Sequence, residues 1–467
     1  MLFNSFHFIV FFLFGTLFFS LLNNKFKWPF LLGLSLFFYG YWQWSYLVLI
    51  GLSIIIDYFC AQMIVKRPER KKVFLVFSIL SNLSILGVFK YAFFVTSTFS
   101  SLGSFLGLSF DPFTMKLLLP LGISFYTFQS MSYTIDVYRG QILPEKSFFK
   151  FALFISFFPQ LVAGPIERAK NILPQFCSAN KITAEDLVKG LRLILLGYFL
   201  KVGVADNLAK YVDVIFSNTL VLDTFSALLG TYFFGLQIYC DFWGYSSLAR
   251  GCAKFFGIDL MKNFDHPYRS LNISEFWRRW HISLSSWFKD YVFIPLGGSQ
   301  HKLLRNLFLV FALSGLWHGA SWTFIIWGII NGLGVIVHKL YQAHLRKSIQ
   351  SKMSNGLYST LCWFLTFHYV MFSWVWFRSS NISLAITYFE RMVSLTYRTL
   401  DAYQLPDIRT GVLAIILLII LEVFMIKKRA IGIFPKFFRW GLYYACLFFL
   451  MFYGQLSSEK QFIYFQF

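Results

Sequence analysis

Charge is scarce in this chain. Asp, Glu, Lys and Arg together supply 13% of its 467 residues, while 57% are hydrophobic. Soluble domains run at about 25% charged, so a chain of this composition could not cover a water-facing surface. That leaves an integral membrane protein. Alternation of apolar and polar residues, the mark of a membrane-spanning strand, is also missing. The apolar runs are continuous, as in LAIILLIILEVFMI (413–426), which excludes a barrel and leaves helices. Cysteine is sparse and scattered at positions 60, 177, 240, 252, 362 and 446, with no C-x-x-C pair, so neither a zinc site nor a disulfide framework is indicated. No H-E-x-x-H, P-loop, G-x-G-x-x-G or G-x-S-x-G occurs, which argues against a zinc hydrolase, a nucleotide-driven pump and a serine hydrolase, and no metal is expected. Lys and Arg are absent from residues 1–24, so a cleavable leader is not expected and the first apolar run should remain as a span.

What is present fits lipid. The chain has 61 Phe and 14 Trp, residues that fill lipid-facing surface and anchor at the interface. Its net charge of +21 would suggest nucleic acid in a soluble protein, but no basic stretch outside the spans is interleaved with base-stacking aromatics. Short basic loops instead read as cytoplasmic: KRPERKK (66–72), HKLYQAHLRKSIQSK (338–352) and KKRAIGIFPKFFRW (427–440). Candidate spans fall near 5–23, 28–43, 45–65, 72–89, 91–108, 116–137, 148–163, 187–204, 225–248, 304–317, 321–341, 357–377, 410–427 and 439–454. Some are short or polar enough to be re-entrant, so about eleven to thirteen true spans are expected. The basic loops place both the N-terminus and the C-terminal tail SSEKQFIYFQF outside the cell. The expected fold is all-α and polytopic, one membrane domain over 1–467, with 259–302 as an amphipathic or re-entrant segment and 455–467 as an aromatic tail.

In 259–302 the stretch ISEFWRRWHISLSSWFK predicts one helix capped by Ser274. Phe276, Trp280, Leu284 and Trp287 form its aromatic face; Arg278, Arg279, Ser283 and Ser286 point elsewhere. A basic helix with such a face fits the cytoplasmic interface.

Polar side chains within spans are expensive, so each raises a functional question. Asp57 reads as the partner of a basic residue on a neighbouring helix, and Glu422 as a carboxylate reaching the interface from near a helix end. YCDFWGYSSLARG (239–251) sets Asp241, Tyr245, Ser246, Ser247 and Arg250 in one polar stretch, either the lining of a cavity or internal hydrogen-bond bracing. Among eight histidines, His7, His301, His338 and His344 read as solvated, His368 as a core residue and His266 as a turn brace. His281 and His318 remain. His318 sits in SGLWHGASW between two apolar runs, and Gly315 and Gly319 would let another backbone or a ligand come close. A neutral imidazole with pKa near 6.5 is suited to take a proton from a hydroxyl at neutral pH.

RSLNISEFWRRWHISLSSWFKDYVFIPLGGS (269–299) followed by LSGLWHGASWTFIIWGIINGL (313–333) resembles the sequence pattern of membrane-bound O-acyltransferases. Within that family it is most similar to the bacterial branch of alginate O-acetylation and teichoic-acid D-alanylation. LPLGISFYTFQSMSYTIDVYRG (119–140), FISFFPQLVAGPIERAKNILPQF (154–176) and YCDFWGYSSLARGCAKFFGI (239–258) extend the resemblance over nearly the whole chain.

The resemblance implies a ring of spans around a central funnel, with amphipathic helices on the cytoplasmic face. It implies His318 as principal catalytic histidine and His281 as the second. Asp241, Tyr245, Ser246 and Trp317 would line the cavity. No permanently bound cofactor is expected; acetyl-CoA or another acyl thioester would be the donor substrate. Arg278, Arg279 and Lys289 would attract its phosphates, although lipid headgroups would account for the same charges. The ending FIYFQF (462–467) resembles a terminal motif of this branch, which suggests Tyr464 as an acyl relay to an extracytoplasmic polysaccharide-acetylating partner; an aromatic plug is the alternative. The expected protein is therefore an O-acetyltransferase of the bacterial inner membrane, serving an exported, alginate-like polysaccharide. D-alanyl or lipid acyl transfer, and a non-catalytic transporter or flippase, stand as alternatives.

Overall fold

A computed structural model describes residues 1–108, 111, 120–162, 164–177, 182–217, 222–395, 408–431, 435–455 and 462–463. The regular elements among them are helices, as the continuous apolar runs predict. In chain order these are α1 (Phe6–Leu21), α2 (Asn24–Gly40), α3 (Ser45–Lys66), α4 (Lys71–Leu86), α5 (Ala92–Phe105), α6 (Ile123–Tyr138), α7 (Phe148–Ser156), α8 (Phe158–Leu161), α9 (Ala169–Cys177), α10 (Ala184–Tyr198), α11 (Asp206–Ser217) and α12 (Thr224–Lys254). There follow α13 (Ile273–Arg279), α14 (Ile282–Phe288), α15 (Leu303–His318), α16 (Trp322–His344), α17 (Arg346–Gln350), α18 (Asn355–Arg378), α19 (Ile382–Val393), α20 (Ile408–Ile431) and α21 (Lys436–Tyr453). Side-chain caps start several of them: Ser5, Ser321, Ser354 and Asn381 accept from backbone N–H groups of α1, α16, α18 and α19.

Five helical stretches among the described residues are long and apolar enough to cross a membrane: Ser45–Lys66, Pro68–Phe105, Trp322–His344, Asn355–Arg378 and Ile408–Ile426. Phe6–Leu21 and Leu303–His318 are apolar but shorter. Large apolar side chains stand outward on these helices, as lipid requires: Phe14, Val48, Phe77, Val337 and Leu365 are all exposed.

Contacts divide the chain into two compact units, Met1–Arg192 with Ala249–Met261, and Leu193–Leu248 with Lys262–Phe467. In the first, α3, α4 and α6 pack together around Asp57. Its carboxylate accepts from Ser78 Oγ (2.5 Å) and twice from Asn82 Nδ2 (3.0 and 2.9 Å). The expected basic partner is thus replaced by neutral donors, which satisfy the lone pairs without burying a second charge.

In the second unit α10 and α12 approach closely at Gly197 and Gly244. A Cβ on Gly244 would lie 2.9 Å from both the Gly197 carbonyl oxygen and the Lys201 nitrogen. Beyond α10 the chain widens into a π-helical stretch, Phe199–Ala205, all of it buried. α15 and α16 meet through a second glycine contact, where a Cβ on Gly315 would lie 2.3 Å from the Phe324 carbonyl oxygen and 3.1 Å from Gly328 Cα. The visitor that Gly315 admits is therefore the backbone of α16. That contact sets the end of α15 against the buried face of α16.

Candidate active site

His318 is the last residue of α15. Its ring is 4% exposed and lies among aromatic rings: Trp317 at 4.9 Å, Trp327 at 5.0 Å and Phe377 at 5.4 Å between centroids. Trp327 comes from α16 and Phe377 from α18, so three helices enclose the imidazole. His281 stands 6.5 Å away, centroid to centroid, and Trp317 lies 6.2 Å from it. The two histidines singled out in the sequence therefore share one buried site although 37 positions separate them, and the Trp317 expected beside them touches both rings.

The expected single helix over 273–289 is broken at His281. α13 ends at Arg279 and α14 begins at Ile282, with His281 between them at φ 44°, in the left-handed region. The cap of α13 is Asn272, whose side chain accepts from Glu275 N (2.8 Å), rather than Ser274. The break is held by the loop before it. Arg279 O accepts from Asp265 N (3.0 Å), Ile282 N donates to Asn263 O (2.9 Å), and Ser283 N donates to Asn263 Oδ1 (3.3 Å). Asn263 Nδ2 in turn donates to Ser246 Oγ (3.0 Å). A left-handed residue that is not glycine carries strain, and these bonds offset it, turning His281 inward where a continuous helix would have carried it past. Phe276, Trp280, Leu284 and Trp287 are buried as expected; Ser283, expected elsewhere, is buried too.

His281 is 1% exposed, with the ring of Phe242 edge-on at 4.5 Å. Burial pushes its pKa down to about 3, so at neutral pH the ring is uncharged.

The polar stretch of α12 resolves into bracing and ion pairing. Lys201, from the π-helical stretch, lies 2.7 Å from Asp206 Oδ1 and 2.7 Å from Asp241 Oδ1, all three side chains being no more than 3% exposed. Its ammonium also stands 5.4 Å from the Tyr245 ring centroid. Two carboxyl groups face one ammonium, and the other oxygen of Asp241 accepts the backbone N–H of Ile463 (2.8 Å). Phe462, fully buried, packs on Tyr245 (4.7 Å) and Phe242 (5.4 Å). The C-terminal tail thus enters the protein and reaches the ring that touches His281. Tyr464 lies outside the described residues. Gln455 N, at the start of the tail, bonds to Val202 O (3.3 Å), and Asn207 Nδ2 donates to Tyr453 O (2.9 Å).

Sequence reasoning missed Lys201 and Asn263. A lone lysine inside an expected span was the available signal for the first; the second becomes visible only with its partners in place. Glu422, expected at the interface, is half-buried within α20, where it accepts from Tyr239 Oη (2.6 Å) and pairs with His266 Nδ1 (3.1 Å). His266 sits at φ 50° beside the Trp243 ring.

Of the basic residues expected to meet phosphate, Arg279 is engaged by Glu275 Oε1 (2.6 Å) and by the Asp265 carbonyl (3.3 Å), whereas Arg278 and Lys289 are exposed. No group of three or more metal-ligating side chains occurs among the described residues.

A helical membrane protein with two buried histidines in one aromatic pocket, clear of any metal-ligand cluster among the described residues, is suited to moving a proton during group transfer. Residues 141–380 match the family model of MBOAT, the membrane-bound O-acyltransferases. The chain is 38% identical over 392 residues to the peptidoglycan O-acetyltransferase of Helicobacter pylori, covering 77% of this chain and 72% of that protein. It is 36% identical over 398 residues to the probable alginate O-acetylase AlgI of Pseudomonas aeruginosa, covering 83% and 74%. The teichoic acid D-alanyltransferase of Bacillus subtilis is 31% identical over 268 residues, covering 54% and 67%. The chain belongs to the membrane-bound O-acyltransferase family. The all-helical membrane fold and the acyl-transfer activity expected from the sequence follow with it.

Proposed function

We propose that this protein moves acetyl groups from a thioester on the cytosolic side of a bacterial inner membrane to an exported polysaccharide, with His318 as general base. The observation that carries the reading is the pairing of His318 and His281, 6.5 Å apart, in a pocket walled by tryptophan. An acceptor hydroxyl oxygen attacks the thioester carbonyl carbon while His318 takes its proton. The carbon–sulfur bond then breaks, and the proton passes from His318 to the departing thiolate, leaving a free thiol and a new ester. His281, neutral at working pH, positions the acyl group or its carrier and holds no proton in transit.

The first acceptor is the Tyr464 hydroxyl. The anchoring of Phe462 and Ile463 beside Tyr245 and Asp241 supports this, because it brings the residues that directly precede Tyr464 in sequence into the site. An extracytoplasmic transferase then moves the acetyl group from Tyr464 to the polymer, with both chain termini on that side. Relatives that match 77% and 83% of this chain are named for acetylation of peptidoglycan and alginate, and the Bacillus subtilis D-alanyl relative matches 54% of it. In cells, Tyr464→Phe is expected to abolish ester-linked acetate on the surface glycan, read by mass spectrometry, with the protein still present in the membrane. Unchanged acetylation would remove the relay and leave the tail as a plug.

A further inference from the structure

The π-helical stretch Phe199–Ala205 shifts one rung of the backbone ladder. At its end the Asp206 N–H reaches back five residues to the Lys201 carbonyl, where an α-helix would send it to Val202. The Val202 carbonyl accepts the backbone N–H of Gln455 instead (3.3 Å). Asn207 follows, buried. Its Nδ2 donates to Gly203 O (2.7 Å) and to Tyr453 O (2.9 Å), and its Oδ1 accepts from Gln455 Nε2 (3.1 Å). The end of α21 and the start of the C-terminal tail are thus tied, through backbone and side chain, to the segment where the π turn passes into α11.

A second tie lies further along the tail, at Ile463. Its N–H donates to Asp241 Oδ2 (2.8 Å), while Asp241 Oδ1 lies 2.7 Å from Lys201 Nζ. Lys201 belongs to the same π-helical stretch and also holds Asp206 Oδ1 at 2.7 Å. Burying three such groups is costly unless each is well placed, and here they fix one another. With one oxygen of Asp241 held by Lys201, the other is aimed at the tail. Phe462 packs on Phe242 (5.4 Å), whose ring meets His281 (4.5 Å), so this tie stands one ring away from the histidine pair. Both ties originate in one segment of seven residues and the two that follow it.

We infer that the π-helical stretch is a two-point clamp on the C-terminal tail, with Lys201, Asn207 and Asp241 as positioning residues. The first point holds Tyr453–Gln455 and the second holds Ile463. This inference rests on the relay reading above: the bond at Ile463, one residue before Tyr464, sets the register of the relay. Lys201 acts through Asp241 and touches neither donor nor acceptor.

Tail docking can be read apart from turnover on full-length protein in lipid nanodiscs, as the rate at which chymotrypsin cuts after Tyr464, followed by intact mass. Ile463→Pro deletes the N–H that Asp241 accepts, whereas Ile463→Ala trims the side chain and keeps the N–H. The proline variant is expected to be cut about tenfold faster than the alanine variant. Lys201→Met and Asn207→Leu should also speed the cut. Should either fail to fold, the two Ile463 variants decide, because they leave the clamp itself intact. With acetyl thioester added, ester formation on Tyr464 should fall in the same order as protection is lost, at unchanged KM for the thioester. A change in packing alone would not give that split. Equal cutting of Ile463→Pro and Ile463→Ala would overturn the clamp. Faster cutting with ester formation at the parent rate would strip Lys201 and Asp241 of a positioning role. If cutting responds as described but unmodified protein gains no ester on Tyr464, the clamp stands and the relay reading falls.

Discussion

At the scale of single residues, burial decides the charge on His281. A ring whose pKa falls from about 6.5 in the unfolded chain to about 3 in the fold binds fewer protons folded than unfolded between those values. Its contribution is therefore complete above pH 6.5 and is lost progressively as the pH drops toward 3. His281→Asn, which tolerates the left-handed backbone, is expected to flatten that part of the stability profile; thermal unfolding in detergent between pH 4 and 7 measures it. An unaltered slope would mean that the ring is protonated inside the fold. Lys201 shows the opposite arrangement. Its side chain is held between Asp206 and Asp241 at 2.7 Å each, and in a buried set of this kind removing one partner is far more costly than the net value of the pair. The two histidines and the polar stretch of α12 were legible as residues of interest from the sequence alone, because lipid gives them no other reason to be there. Their partners were not: Asp57 was assigned a cation and found serine and asparagine, and Glu422 was assigned water and found Tyr239 and His266.

At the scale of elements, the apolar runs gave the long helices to within a few residues, since length and hydropathy are local properties. The shorter polar helices α9, α11 and α19 were not separated out, because their burial depends on neighbours. The helix expected over 273–289 failed for a comparable reason. Its aromatic spacing is continuous through His281, and only the backbone bonds to Asn263 and Asp265 break it. Glycine was read correctly as a point of close approach, and its partner is now identified as α16. Gly315→Ala would put a methyl group 2.3 Å from the Phe324 carbonyl oxygen, forcing α15 and α16 apart. Overpacking of this kind costs about 1–3 kcal/mol, and it displaces His318 from Trp327. A lowered Tm with a larger fall in transfer rate is expected; wild-type values for both would show that the helices have room to separate without moving the site.

At the scale of the whole molecule, composition alone fixed the class and the long motifs fixed the family, while the alginate-like acceptor expected from the resemblance stays a proposal. Relatives are named peptidoglycan O-acetyltransferase and probable alginate O-acetylase, and no residue in the pocket announces the acceptor. The central claim is that His318 takes the acceptor proton. It is tested most directly by purified protein in nanodiscs given radiolabelled acetyl thioester, with label recovered as ester on the protein or on added acceptor. His318→Ala is expected to reduce the first-order transfer rate by at least about a hundredfold while thioester affinity is retained. Transfer by that variant at the unmodified rate would contradict the account.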